Sequence, residues 1–211
     1  MAEKDYPIGR LLRSGITSFV VGCPIIDQEV PSFGALVRAP LNPSDFIYGI
    51  VHEISIRDDG LVQQLVTRNQ PVDPTVIADN RVNRSVPMEI SVLAVGFRHG
   101  EMIRHSLPPR VPLSLDMISQ CSAEELVTFT NTGHFGYLRH LLRNPELPIA
   151  ELIAAHVQQA DDAHQKEKAG NKGWRQLVTK ELITLLRDDY QLLMQVLGTL
   201  GDAVSELGVS K

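Results

Sequence analysis

Hydrophobic residues repeat with two different periods along this chain, and the period changes near residue 115. Before that point the apolar runs are short, rich in valine, isoleucine, phenylalanine and tyrosine, and bounded by turn-forming residues, which is typical of β-strands. Eight of the thirteen prolines lie within residues 1–90 and separate these runs. After residue 115, apolar residues recur every three or four positions, as on the buried face of a helix. The sequence therefore predicts an α+β chain with strands first and helices second.

The predicted strands are short and closely spaced, at 9–22, 35–37, 46–51, 61–66 and 88–97. Asp58-Asp59-Gly60 connects the third and fourth segments tightly and predicts a hairpin. Several short strands at such spacing favour a small closed antiparallel β-barrel over a flat open sheet. We assign residues 5–115 to this barrel and residues 116–207 to an all-helical region.

The helical region opens with Ser122 three residues before Glu125. This is the capping-box spacing, in which the serine hydroxyl and the glutamate carboxylate satisfy amides of the first turn. Pro148 suits the first turn of a further helix, where its missing amide hydrogen would have no partner. The sequence thus predicts at least two helices after the barrel.

A last apolar stripe extends from Trp174 to Leu200 and predicts one long amphipathic helix. Its length is roughly 40 Å at the helical rise per residue, which exceeds the width of a small barrel. Part of it is expected to project and to contact another protein or another copy, with Trp174, Tyr190 and Met194 at the interface. The alternative is that the stripe packs entirely against the barrel or the preceding helix.

Composition excludes several classes of protein. The chain has 211 residues, a formal net charge of −5 and only 5% aromatic residues, which argues against a basic nucleic-acid binder and against a base-stacking platform. No apolar run approaches the roughly 20 residues that a bilayer-spanning helix needs, and the start lacks the basic segment of a secretory signal. Cys23 and Cys121 are expected to be small buried residues rather than a disulfide pair. These features predict a cytoplasmic protein without a membrane span.

Glycines and aliphatic residues of the first half keep a characteristic order in Ile8-Gly9-Arg10, Ser18-Phe19-Val20-Val21, Phe33-Gly34-Ala35-Leu36-Val37 and Ile47-Tyr48-Gly49-Ile50-Val51-His52-Glu53-Ile54. This order resembles the HAS-barrel, the N-terminal β-barrel of HerA-type translocase ATPases and of ATP synthase subunits. Segment 86–96 is similar to the closing strand of that barrel, and segment 107–112 resembles the linker toward the ATPase domain. The resemblance covers about residues 7–130 and implies a barrel that packs beside others in a ring above an ATPase.

The chain departs from those ATPases after the barrel. A P-loop ends in Gly-Lys followed by Ser or Thr, and no Gly-Lys dipeptide occurs in this sequence. The residues that remain are too few for a RecA-like domain of alternating strands and helices. We therefore interpret the chain as a non-enzymatic assembly or adaptor protein that self-associates or docks in a larger complex, with an ATPase as a candidate partner.

Groups suited to catalysis or metal binding are sparse. His156 and His164 are eight residues apart, or about 12 Å along a helix, which is too far to share one ion. His134 and His140 are six residues apart and fall on opposite sides of a helix. We expect no metal and no cofactor. Cys121, just before a helix N-terminus that would lower its thiol pKa, is paired with His134 in a third hypothesis of a hydrolase or transferase.

Arginine accounts for ten of the eleven basic residues in positions 1–115. The candidate anion-binding set is Arg98, Arg104, Arg110, Arg139 and Arg143. The first three are expected to gather near one rim of the barrel and the last two on a short helix, where together they could bind phosphates. Nucleic-acid binding is accordingly the second hypothesis. The alternative is that Arg98 and Arg104 form ion pairs with Glu89 and Glu101 on neighbouring strands.

Overall fold

The computed structural model describes residues 6–23, 30–56, 73–76 and 88–205, together with residues 64, 67 and 71. Its strands are β1 (Tyr6–Ser14), β2 (Ser18–Cys23), β3 (Leu36–Pro40), β4 (Phe46–Ile56), β5 (Met88–His99), β6 (Met102–Arg104) and β7 (Met117–Gln120). The strand predicted at 61–66 and the turn at 58–60 lie, apart from residue 64, outside the described residues.

Six of these strands form a closed antiparallel barrel in the order β2-β1-β7-β3-β4-β5, and the pairing of β2 with β5 closes it. Alternate residues point inward, so that Leu11, Phe19, Ile47 and Ile90 are buried in the barrel interior. Closure pairs every one of the six strands on both sides, which removes the exposed edges of an open sheet. The predicted α+β class and the closed barrel are confirmed.

The last barrel strand, β7, falls in the range that the sequence assigned to the helical region. It has four residues and pairs with β1 and with β3. So short a segment carries no clear period of its own, and its pairing with strands about 80 to 110 residues earlier makes it part of the barrel. The barrel therefore continues to residue 120.

The helices are α1 (Ala123–Asn131), α2 (Leu138–Leu142), α3 (Ile149–Lys166), α4 (Trp174–Leu185) and α5 (Tyr190–Ser205), with a 3-10 turn at Gly133–Phe135. The single long helix predicted from Trp174 to Leu200 is wrong, because a break at residues 186–189 separates α4 from α5. Arg175 in the first turn of α4 donates a hydrogen bond of 2.8 Å to the Leu200 carbonyl of α5. The chain thus folds back, and α5 packs against α3.

Barrel and helices share a hydrophobic core. Tyr48 and Val95 of the barrel belong to the same buried cluster as Phe129 of α1 and Leu152 of α3. The α3 helix is also tied to the loop before β3, since Gln159 donates to the Phe33 carbonyl over 2.8 Å. The two parts of the chain consequently form a continuous packed unit.

Candidate functional site

A pocket of about 290 Å³ opens at one end of the barrel, between the β3–β4 loop, the β5–β6 hairpin and the segment after β6. Three cationic side chains, Arg98, Arg104 and Arg110, line it. We call this feature the arginine pocket. The three residues that the sequence expected to gather near one rim therefore do lie around one cavity.

The β5–β6 hairpin positions two of these arginines. Arg98 pairs with Ile103 across the hairpin, and Phe97 pairs with Arg104. The turn requires Gly100 because its φ of +58° is rare for residues with a Cβ atom. Arg98 donates from Nε to the Gly100 carbonyl over 2.7 Å, which directs its guanidinium along the turn.

Asp45 fixes the opposite wall of the arginine pocket. Its Oδ1 accepts a hydrogen bond of 2.9 Å from the Gly100 amide, and its Oδ2 accepts one of 2.7 Å from the Asn42 side chain. The His99 Nδ1 lies 2.9 Å from the same Oδ2. These bonds, that from the Gly100 amide first, lower the pKa of Asp45 to about 2. The carboxylate is therefore ionised at neutral pH, and with three guanidinium groups the pocket carries a net charge of about +2.

The alternative pairing of Arg98 and Arg104 with glutamates is wrong. Glu89 of β5 instead accepts a hydrogen bond of 2.5 Å from Arg13 of β1, the strand on the far side of β2. Among the described residues, the side chains of Arg98 and Arg104 form hydrogen bonds only from Nε, to the Gly100 carbonyl and to the Met102 sulfur respectively, and the Arg110 side chain forms no hydrogen bond or ion pair. No carboxylate in the described part of the chain thus forms a direct ion pair with these three arginines.

The other two arginines of the predicted set lie elsewhere. Arg139 and Arg143 are exposed residues of α2 and its C-terminal end, and neither lines the arginine pocket. Arg139 donates from Nη2 to the His105 carbonyl, and His140 donates to that oxygen over 3.3 Å. The predicted five-residue set is therefore divided into a group of three and a group of two.

The three predicted interface residues of the last apolar stripe differ in exposure: Trp174 is buried, whereas Tyr190 and Met194 are exposed. Trp174 is 1% exposed and stacks on His164 with ring centroids 4.7 Å apart, so it belongs to the core and not to a surface. The Phe135 ring of the 3-10 turn lies 5.9 Å from the Trp174 ring, so side chains of α3 and of this turn cover it. Tyr190 and Met194 are exposed on α5.

The cysteines and histidines considered for covalent or metal chemistry do not come together in one site among the described residues. Cys23 and Cys121 are both buried, as predicted, whereas His134 is exposed on the 3-10 turn. The His156 Nδ1 donates a hydrogen bond of 2.9 Å to the Gly34 carbonyl, because a carbonyl oxygen can only accept, so Nδ1 carries the ring proton. In the described part of the chain, no three His, Cys, Asp or Glu side chains cluster in a way that could hold a metal ion.

A second surface feature was not foreseen. Four large apolar side chains are exposed where the segment before β7 crosses β1, and we call them the barrel ridge: Leu12, Leu113, Leu115 and Met117. Leu113 is 72% exposed and Leu115 is 68% exposed. The ridge backbone is held by bonds of 2.9 Å from Leu115 to the Leu11 carbonyl and from Leu11 to the Asp116 carbonyl. Leu115 has a φ of +72°, which is unusual for a leucine.

Sequence reasoning also missed Asp45 and Asn42. The Asn42 Oδ1 accepts hydrogen bonds from the amides of Ser44 and Asp45, at 3.0 and 2.9 Å, which is an Asx-type turn. The Asn-Pro-Ser-Asp segment signals such a turn. Its meeting with the β5–β6 hairpin, more than 50 residues later, follows only from the pairing of β4 with β5.

Neither the protein-family models nor the curated proteins contain a match to this chain. Among the described helices, none combines the length and the apolar composition that a membrane crossing requires. The fold thus defines a small antiparallel β-barrel protein with packed C-terminal helices, without assigning it to a family.

Proposed function

We propose that this protein is a non-enzymatic assembly protein whose barrel associates with a second copy of the chain through the barrel ridge. The observation that carries this proposal is the exposure of Leu113 and Leu115 on a hydrogen-bonded backbone. Large apolar side chains gathered in one exposed patch are characteristic of protein interaction sites.

The conformation of Leu115 supports the same role. A left-handed backbone costs an L-residue about 1 kcal/mol or more, and the exposed Leu115 side chain gains little burial in return within its own chain. Strained residues that persist in this way concentrate at functional positions. A rigid backbone also reduces the entropy lost when a partner binds.

The resemblance to the HAS-barrel agrees with this proposal, because the barrels of that family pack side by side. The barrel ridge lies on the outer surface of β1 and β7, since Met117 pairs with Arg10 and the following Ile118 points into the interior. A lateral contact between barrels would bury it. In such a ring an ATPase would be a further partner.

The experiment is sedimentation velocity of the purified full chain over a wide concentration range. We expect concentration-dependent association, and we expect Leu113→Ser combined with Leu115→Asn to weaken it at least about 30-fold, as for two interface anchors. Asparagine is chosen because it accepts a left-handed backbone. The matched control is Leu177→Ser with Tyr190→Ser, which removes exposed apolar side chains from α4 and α5.

A native chain that stays monomeric at all concentrations would refute self-association. Association that is unchanged in the ridge variant but lost in the helix variant would move the interface to α4 and α5. Thermal unfolding of each variant establishes that it is folded.

Nucleic-acid binding is the second candidate, and the arginine pocket is the observation that favours it. Its support is weaker because Arg139 and Arg143 do not join that pocket. A gel shift with DNA and RNA at low and moderate salt tests it. Absence of a shift at low salt would eliminate it, since contacts to backbone phosphates are strongest there.

A further inference from the structure

We propose that the arginine pocket binds a phosphate monoester or inorganic phosphate in its doubly charged form, with Arg98, Arg104 and Arg110 as the ligands. This site is separate from the barrel ridge and does not depend on self-association. The described residues leave its cationic groups available, and its charge, size and rigidity select this class of anion.

The hydrogen-bonding capacity of the pocket comes from the ends of the guanidinium groups. Arg98 and Arg104 use only Nε in their contacts with the Gly100 carbonyl and the Met102 sulfur. Both Nη groups of each, and all five N–H groups of Arg110, make no hydrogen bond with the described residues. A planar pair of Nη donors matches two oxygens of one phosphoryl group.

The charge of the pocket matches a dianion. Three guanidinium groups and the Asp45 carboxylate line it, which gives a net charge of about +2. A phosphate monoester carries a charge between about −1.5 and −2 at pH 7. A phosphodiester or a carboxylate carries a charge of only −1 and would leave part of the positive charge of the pocket unneutralised.

The dimensions favour a small ligand or the end of a larger one. A volume of about 290 Å³ accommodates a phosphoryl group with a compact substituent but not a nucleic-acid duplex. Phe97, Met102 and Pro109 line the same pocket and offer apolar contact to that substituent. An internal phosphate of a nucleic-acid strand is therefore disfavoured relative to a terminal one.

The walls of the pocket are fixed before any ligand binds. Asp45 joins the β3–β4 loop to the β5–β6 hairpin through the Gly100 amide, over 2.9 Å, and through His99. Asn42 holds the other end of that loop through the turn described above. A site that is already organised loses less entropy on binding.

The test is isothermal titration calorimetry of the full chain in a buffer without phosphate, with inorganic phosphate and phenyl phosphate as probes. We expect saturable binding with one site per chain. Phenyl sulfate, which has the same shape and a single charge, is expected to bind at least about tenfold more weakly. Phosphate binding that is no tighter than phenyl sulfate binding would overturn the charge match.

Variants locate the site. Arg104→Gln and Arg110→Gln are each expected to weaken phenyl phosphate binding at least about tenfold, because each removes charge-assisted hydrogen bonds. Arg143→Gln, an exposed arginine outside the pocket, is the matched control and should bind as the native chain does. Equal loss in the control, or no loss in the two pocket variants, would refute the assignment.

A further pair of probes separates the sources of phosphate. A short single-stranded oligonucleotide with a 5′-phosphate is expected to bind more tightly than the same oligonucleotide without it. Equal binding of the two would attribute the pocket to backbone diesters, support the nucleic-acid hypothesis and overturn the monoester proposal.

Discussion

Arg38 of β3 and Glu125 of α1 form a buried ion pair, with 3.2 Å between Nη1 and Oε1 and side chains that are 6% and 5% exposed. The same Oε1 accepts a hydrogen bond of 3.0 Å from the Tyr48 hydroxyl of β4. The Arg38 guanidinium also lies over the Phe46 ring, 4.8 Å from its centroid. A charged contact therefore connects the barrel wall to the first helix.

Replacing one member of this pair is expected to destabilise the protein strongly. Arg38→Met removes the guanidinium that faces a buried carboxylate, and such changes cost about 3–5 kcal/mol of unfolding free energy. Urea denaturation measures the change. The double variant Arg38→Met with Glu125→Met should lose clearly less than the sum of the single losses, because no buried charge then remains at this position. Strictly additive losses would contradict a direct interaction.

The buried histidines predict a loss of stability in mild acid. Burial lowers the pKa of His156 to about 4 and also lowers that of His105 to about 4, whereas an unfolded histidine titrates near 6.5. Between these values the unfolded chain binds more protons, so stability is full above pH 6.5 and falls as the pH drops toward 4. Each such histidine should reduce the unfolding free energy by about 2 kcal/mol between pH 7 and pH 5.

Urea denaturation at several pH values checks this. His156→Gln should be less stable at pH 7 and should show a flatter decline below it. His134→Asn, at an exposed position with a left-handed backbone, should keep the native slope. A His156→Gln slope equal to the native slope would show that this residue does not carry the effect.

The close approach of the β3 loop to α3 predicts a severe effect at Gly34. Its φ is +83°, and a Cβ atom there would lie 2.7 Å from the His156 backbone nitrogen. Gly34→Ala should therefore cost about 1 kcal/mol for the backbone and about 2 kcal/mol more for displacement of the helix. The matched control is Gly100→Ala, which has a φ of +58° and no atom within 4 Å of a Cβ. Similar melting temperatures of the two variants would refute the predicted crowding.

A buried hydroxyl on α1 predicts a contrast between two threonines. The Asn171 amide donates over 3.0 Å to Nδ1 of His164, so the ring proton is on Nε2, which donates over 2.9 Å to the Thr130 hydroxyl. Thr130 in turn donates over 2.7 Å to the Leu126 carbonyl. Thr130→Val keeps the shape but leaves the His164 N–H buried without its acceptor, which should cost about 1–3 kcal/mol.

Thr128→Val is the control for this prediction, because Thr128 lies on the same helix and is exposed. It should change the unfolding free energy by less than about 0.5 kcal/mol. Chemical denaturation of both variants under the same conditions gives the comparison. Equal losses would mean that helix propensity, rather than the His164 contact, determines the effect.

The sequence predicts elements whose signal is local and misses those defined by distant partners. Local sequence patterns predict the closed barrel and the N-terminus of α1, where the Glu125 amide donates over 3.2 Å to the Ser122 hydroxyl. Local patterns do not predict the β7 strand, because its four residues form a strand only through pairing with β1 and β3. The break between α4 and α5 was overlooked, although Asp189, whose Oδ1 accepts from the Leu192 amide over 3.0 Å, has the residue type of a helix cap.

The arginine pocket likewise contains residues that local sequence patterns predict and residues that only the tertiary structure brings there. Arg98 and Arg104 were predicted to share a rim because they lie on one hairpin, and their spacing is a local property. Asp45 could not be associated with them, since it enters the pocket through a loop that precedes the hairpin by about 50 residues. The burial of Trp174 likewise depends on its ring contacts with His164 of α3 and Phe135 of the 3-10 turn, which no local pattern encodes.

By itself the sequence determined the order of strands and helices, the closed barrel and the absence of a Gly-Lys P-loop, because hydrophobic period and motif are read along the chain. Only the tertiary structure decided which charges meet. In the folded chain Arg38 forms an ion pair with Glu125, and the three pocket arginines line one cavity. Leu113 and Leu115 are exposed on the barrel surface. The physical reason is that burial and ion pairing depend on distances between residues far apart in sequence, and strand register sets those distances.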